Sequence, residues 1–167
     1  MYSAIVMRCL GAWPNLPLLE QALTAMESMA MIQWRSPLIA RLVEAYLLAD
    51  RQDDALALME RGLSLALNHG HRGAQAWARR LLGDAVSRRA PDVATARAHY
   101  DAGLALAAEL GMRPLVAHCH LGLGRLSRRD GNHRKAREHF TTASTMYREM
   151  AMKSWPEAAE AELGKLV

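Results

Sequence analysis

The run His118-Cys119-His120 brings together imidazole and thiolate, the ligands that zinc favours. Its spacing works against the ion. On a helix successive side chains turn by about 100°, so residues two apart point roughly 200° from each other and one metal cannot take both histidines. No metal or other cofactor is expected here, and His120 reads instead as a bulky packing residue. Gly122-Leu123-Gly124 is a GxG without the preceding strand that a dinucleotide loop needs, so it reads as a close approach between helices. Ser127, Asp130 and His133 have the types of a nucleophile, an orienting acid and a base, but they fall on a turn that has nothing to exclude water. No catalytic residue is expected.

Arginine is the residue type that stays in play. Arg72, Arg79, Arg80, Arg88 and Arg89 share the segment 72 to 89 with the single acid Asp84, and Arg113, Arg125, Arg128, Arg129, Arg134, Lys135 and Arg137 form a second cluster. A surface with that lining favours a protein or acidic peptide as partner. Solvated helix faces are the plainer competing reading of the same arginines. Nucleic acid is not the expected partner despite a pI of 9.4, because the net charge is only +4 and the few aromatics stand at packing positions, which leaves no stacking platform.

These side chains are positioned by a repeat. DDALALMERGLSLALNHG at 53 to 70, ATARAHYDAGLALAAELG at 94 to 111 and RKAREHFTTASTMYREMA at 134 to 151 align on Ala55, Ala96 and Ala136, which are 41 and 40 residues apart. Self-similarity at that period signals a stacked array. The composition, 51% apolar and rich in Ala, Leu and Met, favours helix throughout. Each repeated segment is the second helix of a hairpin. The preceding segments, with Leu42, Val43 and Tyr46, then Leu81, Leu82 and Val86, then Leu121, Leu123 and Leu126, carry the apolar spacing of first helices. Asp50-Arg51-Gln52-Asp53, Arg89-Ala90-Pro91-Asp92 and Asp130-Gly131-Asn132 break the pairs, and Gly70, Gly111 and Ala151-Met152 close them.

The expected architecture is therefore one all-α domain over 1–167, a right-handed α-α superhelix. Residues 17–34 form a partial repeat, 35–70, 71–111 and 112–152 three hairpins, and 153–167 a capping helix. The helix before the partial repeat is either residues 2 to 12 or missing, and an unpaired helix there would leave an apolar face through which a homodimer could form. Cys9 and Cys119 stand far apart, which suits a reducing, cytoplasmic home. The opening MYSAIVMRCLGAW lacks a basic leader and a cleavage site, and no run of about 18 apolar residues exists to span a membrane.

The hairpins resemble tetratricopeptide repeats, whose signature sets a bulky residue, Leu-Gly and Tyr on the first helix, then Ala, an aromatic and Ala on the second. The third hairpin matches with His120, Leu123-Gly124, Ala136, Phe140 and Ala143, and has Ser127 in place of the Tyr. The second offers Leu82-Gly83, Val86, Ala96, Tyr100 and Gly103, and the first Leu42-Val43, Tyr46, Ala55, Met59 and Gly62. The resemblance implies a non-catalytic interaction scaffold whose groove is lined by first-helix positions, here Arg80, Asp84, Arg88, Arg125, Arg128 and Arg129. Carboxylate clamps of that family also use asparagines, which the matching positions lack. The longer period, the segment 108 to 152 and the Trp155 and AEAEL that follow resemble the C-terminal repeat tail of bacterial signalling proteins. Those proteins join an adenylate/guanylate cyclase domain or a transcriptional-regulator module to an AAA-type ATPase. No cyclase aspartates, phosphate-binding loop or helix-turn-helix accompanies the repeats.

Overall fold

The computed structural model describes residues 16–28, 32–89, 92–152 and 154–166. Among them the chain forms eight α-helices and no strand: α1 Leu16–Ser28, α2 Ile32–Leu48, α3 Gln52–Asn68, α4 Arg72–Arg89, α5 Val93–Glu109, α6 Arg113–Arg129, α7 His133–Glu149 and α8 Trp155–Leu163, with a 3-10 turn at Gly164–Leu166. Each helix packs on the next in the chain, and the first helices α2, α4 and α6 also touch in succession. This is an all-α solenoid of stacked helix hairpins.

Turn chemistry sets the helix ends. The Asp92 carboxylate accepts from the Thr95 N–H at 2.9 Å, and the Asn132 side chain from the Lys135 N–H at 3.1 Å, which satisfies a donor at the start of α5 and of α7. Second helices close with a left-handed residue, Gly70 at φ +65°, Gly111 at +67° and Ala151 at +53°. The wrap-around bonds that follow, His71 N to Ala66 O at 2.9 Å, Met112 N to Ala107 O at 2.8 Å and Met152 N to Tyr147 O at 3.0 Å, repeat one geometry three times.

The core is a spine with no single centre. The anchor alanines Ala55, Ala96 and Ala136 are fully buried, as a short side chain must be where two helix backbones draw together. Tyr100 fills the joint between the second and third hairpins. A Cβ on Gly83 would lie 2.9 Å from its ring, and one on Gly122 nearer still, so two glycines on different helices make the slot that the ring occupies. Phe140 does the same over Gly124, at 2.5 Å, and Ala143 is buried beside it in the same cluster. A Cβ on Gly103 would stand 3.2 Å from the Ala76 carbonyl, and one on Gly62 3.2 Å from Ile39.

The N-terminal end departs from the expected pattern. Of the single helix expected over 17–34, the part to Ser28 belongs to α1, Leu16–Ser28, and Ile32 to Trp34 belong to α2. Pro37 consequently stands at the sixth position of α2 and not at its start, where its missing N–H would have been an orphan anyway. The expected helix over 2 to 12 lies outside the described residues. Hydrogen bonds to Glu20 from the Tyr46 hydroxyl at 2.8 Å and from Arg51 at 3.0 Å fasten α1 to the first hairpin. No described helix is long and apolar enough to cross a membrane.

Candidate functional site

Arg80, Asp84 and Arg88 follow one another at intervals of four on α4, so they share a stripe, and Arg125, Arg128 and Arg129 share the corresponding stripe on α6. The two stripes face along the row of first helices. Arg80 is almost entirely buried, 4% exposed at its side chain. Its guanidinium pairs with Asp84 at 2.7 Å and with Glu44 of α2 at 3.7 Å, and lies 5.9 Å from the Trp77 ring centre. Asp84 also accepts the Tyr100 hydroxyl, so the ring that fills the joint is tied to the charged row.

Arg88 and Arg129 do one job at two levels. Arg88 donates to the Leu47 carbonyl at 3.2 Å, in the last turn of α2, and Arg129 donates to the Ser87 carbonyl in the last turn of α4. Carbonyls there lack helical partners and carry the negative end of the helix dipole, so a cation from the next first helix satisfies both needs.

Arg125 and Arg128 reach forward instead. Their guanidiniums stand 3.1 and 3.3 Å from the two carboxylate oxygens of Glu162 on α8, and Lys165 approaches the same carboxylate at 3.0 Å. Three cations thus converge on one acid. Burial pushes the Glu162 carboxyl up, but Lys165, Arg125 and Arg128 outweigh it and hold the group below the usual carboxylate range. The Nε of Arg128 is buried without an acceptor.

Glu44, Glu162 and Lys165 are the members of this row that the arginine pattern alone does not reveal. A signal for Glu162 exists in the sequence. Trp77 and Asp84, His118 and Arg125, and Trp155 and Glu162 are each seven residues apart, and the Trp77, His118 and Trp155 rings stand in succession, with centres 6.0 and 4.4 Å apart. Aligning α8 as a fourth first helix places Glu162 level with Arg125.

The His-Cys-His run is divided as its spacing requires. His118 points to the aromatic side, with the Tyr147 hydroxyl 2.7 Å from its Nδ1, and burial together with Arg80 pushes the imidazole down to about 3, so it is neutral. Cys119 is buried and its thiol is pushed up to about 12, which removes the thiolate needed for attack or ligation. His120 turns to α7, where its Nδ1 lies 3.0 Å from that of His139. No group of three or more potential metal-ligating side chains gathers among the described residues. Ser127 is buried with no partner for its hydroxyl, far from any role with His133, which is exposed.

Residues 86–149 match the family model described as tetratricopeptide repeat, a span that runs from the end of α4 through α7. No curated protein matches the chain. With glycine-seated aromatics at its joints and paired helices throughout, the chain carries a tetratricopeptide-repeat-like region within its all-α solenoid.

Proposed function

We propose that this chain is a non-catalytic protein-interaction module, regulatory or scaffolding in role, that receives an acidic segment of a partner on the face built by its first helices. Tetratricopeptide repeats generally serve as interaction modules. The observation that carries the acidic preference is the convergence of Arg125, Arg128 and Lys165 on the single carboxylate of Glu162, which leaves positive charge in excess at that end of the row. Arg80 and Asp84 neutralise each other, and Arg88 and Arg129 hold the helix ends, so these four support the binding face and leave the contact to Arg125, Arg128 and Lys165.

Fluorescence anisotropy with a labelled oligoglutamate peptide, an oligolysine peptide and a DNA oligonucleotide tests the reading. Binding of the acidic peptide alone is expected. Preferential binding of the DNA, with affinity falling steeply as salt rises, would replace it with a nucleic-acid reading.

A second reading concerns the parent protein. The resemblance of 108 to 152, with Trp155 and AEAEL behind it, supports a cytoplasmic regulatory tail of a bacterial cyclase or AAA-ATPase signalling protein. Sequencing the coding region upstream of Met1 tests this, because a cyclase or ATPase motif should stand there.

A further inference from the structure

We infer that Glu162 is a resident competitor at the binding face: its carboxylate occupies the Arg125–Arg128–Lys165 cluster in place of a partner's, and the side chain must swing away before an acidic peptide can seat. The inference rests on the acidic-partner reading and adds the regulation of that site. Charge favours a second carboxylate there, since Arg125, Arg128 and Lys165 all stand within 3.3 Å of the Glu162 carboxylate. Displacing Glu162 does not need α8 to detach. Ala158 and Ala159 are buried against the last hairpin, and Glu160 accepts from the Ser144 hydroxyl at 3.2 Å and pairs with Arg148, so α8 stays anchored when Glu162 moves. A partner therefore meets a cluster that is open only for the fraction of time in which Glu162 is displaced, and its apparent affinity falls by that fraction.

The test is anisotropy with the labelled oligoglutamate peptide on wild type, Glu162→Gln and Arg125→Gln/Arg128→Gln/Glu162→Gln, each checked by circular dichroism for unchanged helix content. Glu162→Gln keeps an amide oxygen for the cations and removes the competing charge. Tighter binding by about tenfold, with the gain lost in the triple variant, is expected; it corresponds to Glu162 holding the cluster about nine-tenths of the time. Equal or weaker binding by Glu162→Gln, while wild type binds, overturns the competitor and leaves the acidic-partner reading standing. A gain that persists in the triple variant also overturns it, because the anion then sits elsewhere. Binding by neither wild type nor Glu162→Gln overturns both.

Discussion

Glu162 and Arg125 meet at 3.1 Å across the gap between α6 and α8, 37 residues apart in the chain. The pair joins α8 to the charged row, so Glu162 neutralises part of the face that a partner would use.

Ala151→Gly should raise stability by about 1 kcal/mol. Ala151 takes φ +53° where the two equivalent turns have Gly70 and Gly111, and a Cβ in that region is strained. Urea unfolding checks the direction. Gly111→Ala should move the midpoint the other way.

Gly122→Ala should destabilise by about 1–3 kcal/mol, although alanine is the better helix former, because its methyl would overlap the buried Tyr100 ring. Pairing it with Tyr100→Leu should recover part of the loss. Simple addition of the two single costs would show that the slot between the hairpins is not shared.

Ser127→Ala should be neutral or should stabilise by about 1 kcal/mol. The hydroxyl is fully buried without a partner, and removing an unsatisfied polar group relieves its desolvation cost. A clear loss of stability on thermal melting would show that the hydroxyl has an acceptor.

Stability should fall as pH drops below about 6.5, the ordinary histidine value. His118, His120, His139 and His99 are all held neutral in the fold, chiefly by burial. The unfolded chain therefore binds protons that the folded chain refuses until lower pH, about 3 in the case of His118. Their burial costs nothing above the unfolded value and is felt progressively below it. Urea midpoints measured from neutral pH to about pH 5 should slope downward, and less so in His118→Asn, which keeps an acceptor for Tyr147 and cannot take up the proton.

Much of the solenoid was legible because its determinants are local and recur. The anchor alanines, the glycine stops and the aromatic positions Tyr100 and Phe140 all lie at one spacing, and each is buried or turned as that spacing implies. That 17–34 is shared between α1 and α2 was not legible, since its sequence carries no glycine or internal proline and keeps the apolar pattern throughout. The charged row was legible only by halves. Helical spacing places Arg80, Asp84 and Arg88 on one stripe, but the partners that decide what those arginines do, Glu44, Glu162 and two helix-end carbonyls, come from neighbouring helices about 40 residues away. The sequence pattern of one helix does not record such pairings.

Whether the first-helix face takes acidic partners is decided by selection of a random peptide library on the immobilised protein, with Arg125→Gln/Arg128→Gln of confirmed fold in parallel. Enrichment of peptides rich in Asp and Glu on the wild type, and loss of that enrichment on the variant, is expected. Peptides without acidic residues, retained equally by both, would contradict it.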